Sequence, residues 1–161
     1  MSYDARDEIT HLDGTKIFQN EADRDSEADV AAIIEKHWKC RIVRFGMLAP
    51  IDWFAERHGR VVGLLELKSR RHASNQYATP FLNVRKWLAM SLGSVGLGCP
   101  ALFVVRFTDE VRWVTLSKID ACNQRIGGCA QIVKSQSDIE PVIEIAVADM
   151  QVLRGALEEI A

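Results

Sequence analysis

The segment Val61-Val62-Gly63-Leu64-Leu65-Glu66-Leu67-Lys68 constrains this chain more than any other. It is apolar enough to be a central strand, yet it closes on a carboxylate and an ammonium. Alternation puts Leu65 and Leu67 on one face and Glu66 and Lys68 on the other. Charged groups in such a place need partners or a task. The plainer reading is a same-face ion pair at a strand end, and an acid two residues before a lysine is weak evidence for anything more.

The preceding strand changes that balance. Asp52 lies in Pro50-Ile51-Asp52-Trp53-Phe54, an otherwise apolar run. Arg57-His58-Gly59 is a hairpin signal between the two strands. If His58-Gly59-Arg60 forms a three-residue loop, Arg57 pairs with Val61 and Asp52 falls opposite Glu66, with Cβ atoms about 5 Å apart. Two carboxylates that close repel unless a cation or proton lies between them. Oxygen ligands of this kind suit Mg²⁺ or Mn²⁺. A two-residue turn would put the acids on opposite faces, so the hairpin needs an odd loop or a compensating bulge.

The other elements read as follows. Residues 1–20 lack periodicity and form an N-terminal arm, and residues 21–161 form one domain. A helix runs from Ser26 to about Lys39, with Ser26 and Asp29 as a capping box and an apolar repeat through Val30, Ile33, Ile34, His37 and Trp38. Glu27 falls on the sheet-facing side with Val30, Ile34 and Trp38, although a first-turn acid also favours the helix dipole. Strands are expected at Arg41–Gly46, Ile51–Glu56 and Arg60–Ser69, then a polar loop at His72–Thr79. Pro80 introduces a helix over Phe81–Leu92 with an apolar stripe of Phe81, Val84, Leu88 and Leu92. Lys86 points away from that stripe, toward either DNA or plain solvent. Gly93–Gly98 ends the helix and carries no phosphate-loop lysine. Strands at Ala101–Phe107 and Val111–Leu116, a late strand at Val142–Ala146 and a closing helix at Met150–Ile160 complete a mixed sheet flanked by helices, an α/β fold. Residues 117–161 contain no motif.

The formal net charge of −2 argues against a nucleic-acid protein until its distribution is seen. Residues 1–35 carry three Lys/Arg against ten Asp/Glu, residues 36–90 eleven against three, and residues 91–161 six against nine. The middle block is thus net +8, and it contains Lys68, Arg70, Arg71, Arg85 and Lys86. Such a block attracts phosphates, although a solvated surface would look the same. No apolar run reaches the roughly 20 residues of a membrane span. Cys40, Cys99, Cys122 and Cys129 have neither CxxC spacing nor nearby His, so free thiols in a reducing, cytoplasmic compartment are expected. His58 and His72 read as surface residues, and Tyr77 either stacks on a base or caps its loop.

Asp52, then thirteen intervening residues, then Glu66-Leu67-Lys68 resembles the signature of the PD-(D/E)XK nuclease superfamily. Ile51 separates the Pro and the Asp, a departure from the literal motif. The Glu27-bearing helix before the motif and the Lys86-bearing helix after it resemble that superfamily's restriction-endonuclease-like core, α-β-β-β-α-β, over roughly Glu21 to Leu116. Small phage-type and Holliday-junction-resolvase-like members are most similar in size. The resemblance implies that Asp52, Glu66 and the Leu67 carbonyl hold Mg²⁺ or Mn²⁺, which activates water and stabilises charge on phosphate. It implies that Lys68 orients the attacking water or stabilises the transition state, and that Glu27 assists. Ser69, Arg70, Arg71 and, less directly, Lys86 would meet the DNA backbone.

The expected function is therefore a Mg²⁺-dependent DNA endonuclease on branched or structured DNA, as a possible homodimer. An exonuclease of the same superfamily, and a non-catalytic DNA-binding or regulatory protein with the same fold, are the alternatives. Opposed acids weigh against the latter, since a binding module has no need of them.

Overall fold

A computed structural model describes residues 21–46, 49–127 and 139–154. The 1–20 arm, Cys129 and the far part of the expected closing helix lie outside the described residues. Helix α1 (Glu21–Trp38) leads into β1 (Arg41–Arg44), β2 (Trp53–Arg57) and β3 (Arg60–Ser69). Then come β4 (Phe81–Asn83), α2 (Val84–Leu97), β5 (Ala101–Arg106) and β6 (Val111–Thr115). The short strands β7 (Gln124–Ile126), β8 (Pro141–Glu144) and β9 (Gln151–Val152) follow. The expected α-β-β-β-α-β core is what the chain forms, with β4 inserted before the second helix.

Six strands make the main sheet in the order β1-β2-β3-β5-β6-β9. Among the described strands only β3 and β5 run parallel, which is what the intervening α2 permits. α1 covers one face: Val30, Ala31, Ile33 and Ile34 pack on Leu65, Leu67, Val104 and Val111. The other face carries Leu64, Phe103, Val105 and Val114 against Met90 of α2 and Ile143 of β8. β3 is therefore buried on both sides, which explains its nearly continuous apolar sequence. A three-stranded sheet, β4-β8-β7, extends this second layer. Among the described residues no helix is long and apolar enough to cross a membrane.

The β2–β3 hairpin takes the second of the two expected routes, a two-residue turn with a compensating bulge in place of a three-residue loop. Arg57 pairs with Arg60, while His58 and Gly59 occupy the turn with φ of 54° and 76°. Both values are left-handed, as the tightest hairpin turns require, and glycine takes the second at little cost. Glu56 Oε1 accepts from the Gly59 amide at 2.6 Å and holds the turn shut. This turn alone would put Asp52 and Glu66 on opposite faces. A bulge reverses that: Glu56 pairs with Val61 but Ala55 pairs with Gly63, leaving Val62 without a counterpart. From there Phe54 pairs with Leu64 and Trp53 with Leu65, so continuation of the ladder brings Asp52 opposite Glu66. Arg57 also donates to the carbonyls of Trp38, at 2.5 Å, and Lys39, at 3.2 Å, fastening the end of α1 to the hairpin.

Four expectations need correction. α1 already includes Glu21, so Ser26 and Asp29 lie inside the helix and not at its N-cap. Phe81 lies in β4, and α2 continues past Gly93 to Leu97, ending at Gly98 with φ 63°. The stripe through Leu88 and Leu92 faces outward, at 51% and 67% exposure, because Trp87 and Met90 supply the inward face. Gly93 completes that inward face: a Cβ there would come within 2.8 Å of Leu64 Cδ1 and 3.0 Å of Ile51 Cδ1, so its absence lets α2 lie close on the sheet. Finally, Met150 starts no helix. Gln151 and Val152 instead pair with Trp113 and Arg112 of β6, a two-residue edge with no periodicity to betray it.

Candidate active site

The acids meet where β2 begins and β3 nears its end. Glu66 is 1% exposed, which would be prohibitive for a lone carboxylate. Two ammoniums partner it: Lys68 Nζ is 3.1 Å from its Oε1 and Lys86 Nζ is 3.1 Å from its Oε2. Lys86 Nζ also contacts Asp52 Oδ1. Two carboxyls and two ammoniums thus form one compact cluster on the α2 side of the sheet.

Lys86 does not point to open solvent. It was expected to point away from the packed side of its helix, and it points into the acids. The error follows from α2 being apolar nearly all round, so that Leu88 and Leu92 suggested the wrong inner face. A better signal was available. Lys86 and Arg85 stand in the first turn of α2, where the helix dipole disfavours cations, so an ammonium there needs acids nearby.

Burial opposes ionisation of Glu66, but the Lys68 and Lys86 charges override it and hold the carboxyl down at about 2. Asp52 moves the other way: burial and the Glu66 charge raise its pKa against the pull of Lys86. Of the two carboxyls, Asp52 is therefore the one that takes up a shared proton first. Burial also raises Glu27, as does the charge of Asp52, while Arg44 and Lys68 lower it. Glu27 lies at the rim, with Arg44 Nη2 at 3.6 Å. Nothing in the sequence singled out Arg44, which shares the basic block with ten other cations.

A depressed carboxylate stabilises the fold at pH values above its unfolded pKa and loses that contribution as pH falls through its folded one. For Glu66 the window is 4.5 down to about 2, equivalent to roughly 3 kcal/mol. Carbon-detected NMR of the Glu66 carboxyl should give a midpoint near 2. A midpoint at the ordinary glutamate value would refute the two-lysine clamp.

The backbone adds a further oxygen. The Leu64 amide donates to Pro100 and the Arg70 amide to Arg106, so even-numbered residues of β3 direct their backbone groups at β5. Odd-numbered ones face β2, whose ladder stops at Trp53–Leu65. The Leu67 carbonyl is therefore directed past the end of β2, on the Asp52 side. Two carboxylates and a carbonyl are hard oxygen donors and fit a divalent cation such as Mg²⁺ or Mn²⁺. Among the described residues no group of three or more His, Cys, Asp or Glu side chains is arranged to hold an ion. A set completed by backbone and water does not need a third side chain.

Ser69, Arg70 and Arg71 follow directly at the end of β3. The Arg70 guanidinium is half-buried, 5.8 Å from the Phe81 ring centre, and Arg71 is exposed. His72 is not the plain surface residue expected: its ring packs on Tyr77 at 4.7 Å and Phe107 at 5.7 Å. Ser74, through both its amide and its hydroxyl, is bound to Asp109 at 2.8 Å, which ties the loop after β3 to the β5–β6 turn. Cys40, Cys99 and Cys122 are free thiols.

This fold and this placement of acids and lysines define a restriction-endonuclease-like nuclease. A family model described as "Phage putative PDDEXK endonuclease" matches residues 15–153, and the chain belongs to that family. Among solved structures it is similar to Hjc, a Holliday junction resolvase from the archaeal hyperthermophile Archaeoglobus fulgidus. The TM-score is 0.51 at 12% identity, covering 78% of this chain and 86% of that one, a likeness of fold. No curated protein matches the sequence.

Proposed function

We propose that this protein is a Mg²⁺- or Mn²⁺-dependent DNA endonuclease acting on branched or otherwise structured DNA. The observation that carries the reading is the meeting of Asp52 and Glu66 on one face, with Lys68 Nζ 3.1 Å from Glu66. Asp52, Glu66 and the Leu67 carbonyl hold the ion. When bound, the ion supplies water activation and charge stabilisation at the phosphate. Lys68 orients the attacking water or stabilises charge developing on the phosphate. Glu27 acts from the rim, and Ser69, Arg70 and Arg71 take the DNA backbone.

The family's description as endonucleases favours internal cleavage over an exonuclease. The junction-resolving activity in the name of the similar archaeal structure supports a branched substrate. A homodimer fits the exposed Leu88, Leu92 and Val95 of α2, one stripe at helical spacing that carries no charge. Free thiols and a DNA substrate suit a cytoplasmic setting.

Incubation with linear, circular, single-stranded and four-way-junction DNA tests the proposal. Junction and closed-circle cleavage are expected with Mg²⁺ or Mn²⁺, and none with chelator. Cleavage that persists under chelation would remove the metal from the mechanism, and a strict need for free ends would make the enzyme an exonuclease. Tight binding without any cleavage would favour the non-catalytic reading.

A further inference from the structure

We infer that Lys86 is a tethered stand-in for the divalent ion: its ammonium holds Asp52 and Glu66 together, must be displaced for the ion to bind, and so sets the metal affinity of the site. This rests on the proposed metal site and adds a residue that controls its occupancy.

Three observations carry it. First, Lys86 Nζ bridges the two acids, touching Asp52 Oδ1 and lying 3.1 Å from Glu66 Oε2. Any cation shared by those oxygens competes for the same ground. Second, the charges already balance. Lys68 and Lys86 offset Asp52 and Glu66, and Arg44 lies beside Glu27. A divalent ion shared by Asp52 and Glu66 would meet the Lys86 ammonium in contact with both of its ligands, an arrangement that Coulomb repulsion disfavours. Third, the two lysines hold the acids differently. Lys68 grows from the central strand β3 and contacts Glu66 through the other oxygen, Oε1. Lys86 reaches in from the first turn of α2 and touches both acids, so it, and not Lys68, stands where a shared ion would, and rotation of its flexible stem withdraws the charge without moving the backbone.

The first-turn position points the same way. It opposes the helix dipole and buries an ammonium, two penalties that only the acids offset. Lys86 thus serves the cluster and not its helix.

The test is calorimetric Mn²⁺ binding to the full chain, paired with thermal unfolding with and without Mn²⁺. Lys86→Met keeps the apolar stem and removes the charge. It is expected to bind Mn²⁺ at least about tenfold more tightly, the low end for removal of one close charge interaction. Its metal-free unfolding midpoint should fall, because the acids then repel, and its gain on adding Mn²⁺ should exceed that of wild type. Lys86→Gln serves as the second variant should Lys86→Met fold poorly. Unchanged or weaker Mn²⁺ affinity in the folded variants overturns the stand-in role, since a purely structural ion pair would lower the midpoint alone. Asp52→Asn separates the two levels. If it binds Mn²⁺ as wild type does, or if neither wild type nor the Lys86 variants bind any, the underlying metal site is wrong. If it loses Mn²⁺ while Lys86 variants bind as wild type does, only the role of Lys86 is wrong.

Discussion

Glu66→Gln is expected to slow cleavage by about 10²–10³-fold, the usual consequence of removing one preorganised electrostatic contact from an active site. It should also destabilise the fold by about 3 kcal/mol, near the lower end for breaking a buried ion pair. The two effects share a cause. Glu66 is almost wholly buried and receives Lys68 on one oxygen and Lys86 on the other. A neutral amide keeps the shape but leaves two ammoniums sharing the charge of Asp52 alone. Single-turnover cleavage, measured well below the variant's unfolding midpoint, isolates the catalytic loss, and urea titration gives the stability loss. A variant that cuts at the wild-type rate would exclude Glu66 from the chemistry, whatever its effect on folding.

Lys68→Ala should separate these roles. Its side chain is 31% exposed, so water already screens its interaction with Glu66, and a stability change below about 1 kcal/mol is expected. Lys86 remains to neutralise the acids. The cleavage rate should nonetheless fall by about 10²-fold, with DNA affinity within a few-fold of wild type, since Lys68 is proposed to act on the reacting phosphate. Equal losses in DNA affinity and in rate would instead make Lys68 an ordinary phosphate contact.

Much of the site was legible in the chain itself. The acid and lysine of β3 stand out because charge is costly in a strand that apolar alternation marks as buried, and Asp52 stands out in its apolar run for the same reason. Their meeting requires an odd-length loop or an even turn with a compensating bulge, and the chain takes the second route. Bulges leave no clear trace in sequence, and Val62 looks like any strand valine. Lys86 was misread because its helix has apolar residues on every side, and only packing against Leu64 and Ile51 decides which side turns inward. β4 and β9 were missed because three and two residues carry no period.

Val62 has one more consequence. A pleated strand makes its two faces a matter of parity, and this hairpin spends its single spare residue to correct that parity. Deleting Val62 would remove the bulge with its residue, keep the two-residue turn and leave Asp52 opposite Glu66, whereas inserting one residue without a second bulge would deliver Glu66 into the aliphatic layer beneath α1. The interval from Asp52 to Glu66 is thus quantised: related chains can lengthen or shorten it by two residues freely, but by one only if they also gain or lose a bulge.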